Sequence, residues 1–472
     1  MQKDNNANTA MKRQRDNYTF LTQAPVHQVI GKMALPTIIS MLVTSLYNMA
    51  DTYFVGKINT QCTAAVGVVF SLMAIIQAVG FMFGHGSGNY ISRKLGAKQR
   101  DLAQRMASTG FCYSMAAGVV IAVLGLVFLT PLSKMLGATP TILPYTEQYL
   151  GIVLTGAPFM TGSLTLNNQM RFQGNAAFAM YGIVSGAALN VMLDPLLIFA
   201  CGMGIKGAGL ATLISQTCGF CILLLMTRRG GNLRPHLRHY TPSLSLVKEI
   251  LYGGTPSLSR QGLGSAATIM LNVAAGAYGD AAIAGMSIVN RISFFFYSVI
   301  IGTGQGFQPL CGFCYGAKRY DRVNEGYRYC VKVGTAFLTV IAAICFVFAA
   351  PIVEEFRHDP DVVAVGCVAM RWQALTYPLI ATIVLTNMLM QTIRKPISAN
   401  IVAAARSGLF FIPLIIVLPV FFGLKGVEMC QAFSDICAFA ISAPIAHHAF
   451  RQMRRQQADT TPAAPHRRTN TY

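Results

Sequence analysis

The chain has 472 residues, of which 53% are hydrophobic and 11% charged, with a mean hydropathy of +0.49 and a formal net charge of +20. A soluble domain carries roughly 25% charged residues, so this composition excludes one and points to an integral membrane protein. The apolar stretches are too long for barrel strands, which leaves helices as the spanning elements.

Residues 1–32 are polar and hold Lys3, Lys12, Arg13 and Arg15 without the apolar core of a signal peptide, so they read as an N-terminal tail. Twelve apolar spans follow, near 33–55, 65–90, 107–130, 143–166, 177–200, 206–227, 253–278, 282–308, 327–350, 363–388, 398–421 and 427–449. Each is about long enough to cross the hydrocarbon layer. The longest polar interior segment falls at 228–250 and divides the spans six and six. The expected architecture is therefore all-α, with twelve transmembrane helices in two pseudo-symmetric six-helix lobes. The first lobe covers 33–228, a linker 229–252, the second lobe 253–449 and a basic C-terminal tail 450–472.

Lys and Arg concentrate in alternate connections. One set holds Arg93, Lys94, Lys98, Arg100 and Arg105, then Arg171, then Arg228 to Lys248, then Lys318, Arg319, Arg322 and Arg328, then Arg394 and Lys395, and both tails. The other set holds Lys57, Lys134, Lys206, Arg357 and Lys425, one to a loop. This bias puts both termini in the cytoplasm, and the expected location is the cell inner (plasma) membrane. It explains the basic excess through topology and anionic lipid, with no nucleic-acid partner.

The halves repeat. An offset of 220 residues carries Gly96 onto Gly316, Gly84 onto Gly304, Lys98 onto Lys318, Asp101 onto Asp321 and Pro36 onto Pro256. Six spans per copy is an even number, so the copies share one orientation and the lobes are related by an axis along the membrane normal, a transporter plan. Twelve cysteines are scattered through apolar segments. Cys218-x-x-Cys221 and Cys311-x-x-Cys314 lack a second ligand pair, so both read as packing. The "GHGSG" and "GTGQG" runs lack the Lys-Ser/Thr of a phosphate loop and read as helix packing. His85 lies well inside a span and reads as a buried, hydrogen-bonded residue. No catalytic or metal-ligand set is present in the sequence, so no enzyme and no cofactor are expected.

Few charges lie inside the spans, where each costs at least ~2.5–3.5 kcal/mol on insertion scales. Asp51 belongs to span 1 and Asp194 to span 5. Asn190 lies one helical turn before Asp194 on the same face. Pro195 removes a backbone donor beside it, and Pro36 does so in span 1. Thr212 in span 6 adds a hydroxyl. The acids are not duplicated: Asp51 aligns with Leu271 and Asp194 with about Leu414, whereas Arg260 aligns with Ser40 and Arg291 with Ser71. A carboxyl group held out of water keeps its proton more tightly. Between two membrane faces it can load a proton on one side and release it on the other, and sodium or a cationic substrate competes for the same oxygens. Glu147 and Asp435 read as structural pairs.

The runs "YNMADTYFVG", "GAKQRD", "ALNVMLDPLLIF" and "GQGFQPLCGFCYGAKRYDR" resemble the multidrug and toxic compound extrusion (MATE) transporters, in their bacterial multidrug-efflux branch, over about 33–449. The resemblance implies two lobes that alternate between outward and inward openings. It implies secondary antiport of cationic or amphipathic organic compounds, driven by a proton or sodium gradient. It assigns Asp51, Asn190, Asp194 and Thr212 to the coupling-cation site, with sodium as one occupant. Tyr47, Asn167, Asn168, Arg260, Arg291 and Gln305 are the expected substrate-cavity residues. The expected partners are small organic cations, the coupling ion and the bilayer, and the expected state is a monomer. The span between Glu249 and Asp280 holds no acid, which departs from members that bind the cation in their seventh helix. An alternative is export of a lipid-linked precursor, whose phosphates would match Arg260 and Arg291 but not the two aspartates.

Overall fold

The computed structural model describes residues 16–460; the sequence-stretch ends carrying Lys3, Lys12, Arg13, Arg15, Arg467 and Arg468 lie outside the described residues. The long apolar runs satisfy their backbone polar groups internally as helices, which is what hydrocarbon demands. In chain order these are α1 (Val26–Gly56), α2 (Thr60–Gly96), α3 (Arg100–Val127) and α4, a broken helix of Leu143–Thr155 and Ala157–Phe172. Next come α5 (Ala176–Pro195, continued by a π-turn over Leu196–Ala200) and α6 (Ile205–Met226). The second half holds α7 (Leu244–Gly276), α8 (Asp280–Gly316), α9 (Tyr320–Val347) and α10 (Pro360–Thr392). It ends with α11 (Pro396–Ala404, a π-turn at Ala405–Leu409, then Phe411–Phe422) and α12 (Leu424–Thr460).

Ten of these are long and apolar enough to cross a bilayer as they stand, and the two pieces of α4, bent by 48° at Gly156, make an eleventh span. Pro158 at the start of the second piece explains the break, since a proline ends the preceding hydrogen-bond ladder. The twelfth, α7, has 33 residues and so is about 50 Å long, but Lys248, Glu249 and Arg260 dilute its apolar character. The twelve-helix, two-lobe layout expected from the sequence is the one observed. The helix ends differ from the expected span ends: α1 starts at Val26 and α12 continues to Thr460. Hydropathy senses the hydrocarbon slab, whereas a helix continues into the aqueous layer until a cap stops it.

The repeat is visible at atomic level. Asn167 Nδ2 donates to Ala179 O at 2.8 Å, and Asn387 Nδ2, 220 residues on, donates to Ala399 O at 2.8 Å. Lys98 and Lys318 both adopt left-handed backbone, with φ of 61° and 59°, after the ends of α2 and α8.

The lobes meet at one end only. α2 packs on α7, α1 on α8, and α2 on α8. At the end bearing the basic loops one core serves both lobes, with Ile30, Met33, Ile91 and Leu95 against Ile250, Phe307, Leu310 and Phe313. Small residues permit that approach. A Cβ on Gly86 would stand 2.2 Å from Ile250 O, and one on Gly254 2.2 Å from Met82 O. Toward the other end each lobe keeps a core of its own. There, Gly262 and Gly264 of α7 face open space, with nothing within 4 Å of a Cβ. The result is a cleft between the lobes, closed at the basic end.

Candidate functional site

Within the first lobe, α1, α4, α5 and α6 bring together the acids named from the sequence. Asp194, Asn190 and Thr212 are 0%, 1% and 1% exposed. With its amide oriented by its neighbours, Asn190 Nδ2 donates to Asp194 Oδ2 at 3.0 Å, and its Oδ1 accepts from the Thr212 backbone N–H at 3.3 Å. The one-turn spacing of Asn190 and Asp194 makes the first contact possible, and the packing of α5 on α6 makes the second. Asp51 and Tyr47 on α1 are half-buried. Tyr47 lies against the Thr212 side chain and within electrostatic range of both aspartates.

The oxygens that remain define the chemistry. Asp51 Oδ1, Asp194 Oδ1 and Thr212 Oγ1 are sealed from solvent and have no hydrogen-bond partner. None of the ion pairs among the described residues involves either aspartate. A buried polar group without a partner costs ~1–3 kcal/mol, more if charged. Such oxygens suit a small hard cation or a proton, because oxygen donors and carboxylate charge are what those ions require. No group of three or more His, Cys, Asp or Glu residues able to hold a metal is present among the described residues.

The other candidates fall elsewhere. Asn167 and Asn168 are buried, and both spend their amide N–H groups on helix carbonyls, Ala179 O and Leu164 O. Asn167 still lines a small pocket with Thr37 and Ser40. Gln305 is 2% exposed and accepts from Arg171 Nη1 at 2.6 Å. Arg260 is half-buried and donates to Asn387 Oδ1 at 2.9 Å. Arg291 is exposed on α8. Glu147 accepts from Thr130 Oγ1 at 2.6 Å, and Asp435 pairs with Arg406 at 2.8 Å, so both are structural partners as the sequence suggested. His85 donates from Nδ1 to Phe81 O at 3.1 Å, which leaves Nε2 to accept from Arg171 at 3.2 Å.

A family model described as MatE matches residues 36–196 and 256–417, and so starts each copy at the prolines that the internal register pairs. The chain belongs to the MATE family of transporters. Among curated relatives it is 28% identical, over 89% of its length and 93% of theirs, to the multidrug export protein MepA of Staphylococcus haemolyticus (strain JCSC1435). It is 26% identical to the multidrug export protein MepA of Staphylococcus aureus (strain MSSA476), over 89% and 94%. A solved outward-facing multidrug resistance MATE family transporter of the MOP superfamily superposes with a TM-score of 0.87 at 24% identity, over 92% of this chain and 98% of that one, which shows the shared fold. Members of the MATE family are transporters and not enzymes.

Three residues of this MATE transporter escaped the sequence reading. Tyr149 of α4 is 1% exposed and lies against Thr212 beside Tyr47, which no spacing in the chain foretells. Glu249 pairs with Arg93 across the lobes; it is the lone acid in a basic linker, a signal that was available. Arg171, counted among loop cations, is corrected here: it is 2% exposed at the end of α4 and points at the second lobe. A loop count by sequence cannot see that the last turn of α4 faces inward.

Proposed function

We propose that the protein is a secondary antiporter that exports small organic cations and amphipathic compounds in exchange for protons or sodium ions by alternating access. Its membrane is the plasma membrane, both termini are cytoplasmic, and it works as a monomer. The closed end carries the basic loops, so the cleft opens to the outside in this state. The observation that carries the reading is the set of partnerless buried oxygens on Asp51, Asp194 and Thr212. A cation or proton bound there neutralises the two carboxylates. Its departure charges them, and the bundle of α1, α5 and α6 rearranges to rehydrate or re-pair them. Because α1 also forms the inter-lobe contact with α8, that rearrangement changes how the lobes meet.

The test is transport in proteoliposomes with proton and sodium gradients imposed separately. Asp51→Asn and Asp194→Asn should insert normally and lose gradient-driven efflux. Full efflux in both variants would overturn the coupling assignment.

A further inference from the structure

Residues 16–24 cross the closed basic end before α1 begins, and 16–23 are helical. Leu21 is fully buried and belongs to the core that both lobes share. The segment holds the first lobe through Asn17 Nδ2, which donates to Gln173 O at 3.4 Å and to Asn175 Oδ1 at 3.2 Å. Leu21 adds to this, its Cδ1 lying 2.9 Å from where a Cβ on Gly174 would stand. The segment holds the second lobe through Thr22 O and Ala24 O, which accept from Arg319 and Arg322, and through Leu21 O, which accepts from Cys314 Sγ at 3.6 Å. The Tyr18 ring meets both lobes, with Lys98 Nζ 5.3 Å and the Phe313 ring 6.5 Å from its centroid. The last carbonyls of a helix have no partner within it and carry its negative end. Here two arginines at the start of α9 supply both the hydrogen bonds and the counter-charge.

The internal repeat shows why this contact can part. An offset of 220 carries residues 16–24 onto 236–244 of the linker. That stretch seats on α3, where His236 N–H donates to Ser108 Oγ and Thr241 N–H to Thr109 Oγ1, each at 3.1 Å. Each segment therefore leads into one lobe and seats on the other, on α3 in one case and α9 in its repeat partner. The tethers differ. The linker comes to α3 from α6 of the same lobe, so the covalent chain keeps it there. Residues 16–24 follow no helix of the second lobe, and only the contacts named above hold them to it. When the basic end opens, they stay with α1 and leave α9.

We propose that residues 16–24 are a releasable latch across the basic end: they hold it shut by bonding Arg319 and Arg322, and they must leave both before it opens. The latch then sets the ratio of closed to open states, and with it the turnover of the transporter. This rests on the reading that the two ends open in turn. Cys314, buried under Leu21, reports release. The purified full-length protein is treated with a charged maleimide, and labelling of the Cys314 peptide is followed by mass spectrometry. Labelling should run about tenfold faster than in the parent for Leu21→Ala and for the Arg319→Gln/Arg322→Gln double variant, and near the parent rate for Leu21→Met. Parent-like rates in both loosened variants would overturn the latch. A lock then tests whether release is required. Gln23→Cys and Glu325→Cys, both at exposed positions, are joined by a bismaleimide with a reducible centre in a Cys201→Ser/Cys221→Ser background. Efflux from proteoliposomes should fall about tenfold in the joined protein and return on reduction. Unchanged efflux in the joined protein would refute the required release. The two readings fail separately: a parent protein without gradient-driven efflux sinks the antiport, while the Cys314 labelling rates still judge the latch.

Discussion

Arg93 of the first lobe and Glu249 of the second are joined at 3.1 Å, and the same Arg93 donates to Thr392 O at 2.8 Å. Arg394 takes the other Glu249 oxygen at 2.6 Å. The cluster straddles the closed end beside the shared core. Nearby, the stretch preceding α1 reaches both lobes, through Asn17 to Asn175 Oδ1 at 3.2 Å and through Thr22 O, which accepts from Arg319 at 2.9 Å. For this end to open, Arg93 must give up both partners on the second lobe.

Glu249→Gln should therefore favour opening at the basic end. The side chains are only 12–13% exposed, so a weakened charge-assisted pair is worth about 2 kcal/mol, or about thirtyfold in the ratio of states. Spin-label distances between the loops after α2 and α8 should lengthen or broaden. An unchanged distance distribution would show that the apolar core alone holds the end shut.

Gly86 and Gly262 give a matched pair. A side chain on Gly86 meets Ile250 O, so Gly86→Val should block closure and abolish efflux while leaving membrane insertion intact. Gly262→Val adds the same bulk into open space and should leave the basic end closed. Equal spin-label distances across the basic end in the two variants would refute the close-packed end.

Thr212 offers one of the partnerless oxygens. Thr212→Val keeps the shape and removes the hydroxyl, and should weaken coupling-ion affinity about tenfold, equivalent to about 1.4 kcal/mol. Thr212→Ser should stay near the parent. The half-saturating ion concentration for efflux is the readout.

Arg406 and Asp435 should behave as a structural pair. Asp435 is 1% exposed and also accepts from Gln431 Nε2 at 2.8 Å. Arg406→Gln leaves the carboxylate without its counter-charge and should cost about 3–5 kcal/mol. A lowered melting temperature that Asp435→Asn partly restores in the double variant would confirm it. A single variant as stable as the parent would not fit.

The order of residues along the chain specifies the helical class, the number of spans and the doubling of the lobes, because hydrocarbon allows few backbone solutions and because a register of 220 residues leaves its mark on glycines and prolines. It also singled out Asp51, Asn190 and Asp194, since charge within an apolar run is costly and one helical turn sets Asn190 beside Asp194. Tertiary structure decided the rest. Tyr149 joins Thr212 only because α4 packs on α6. Arg171 changes from a loop cation to a buried inter-lobe contact only because the last turn of α4 faces α8. Glu249 finds Arg93 from 156 residues away. Such contacts depend on which helix faces meet, and hydropathy along one chain carries no record of that.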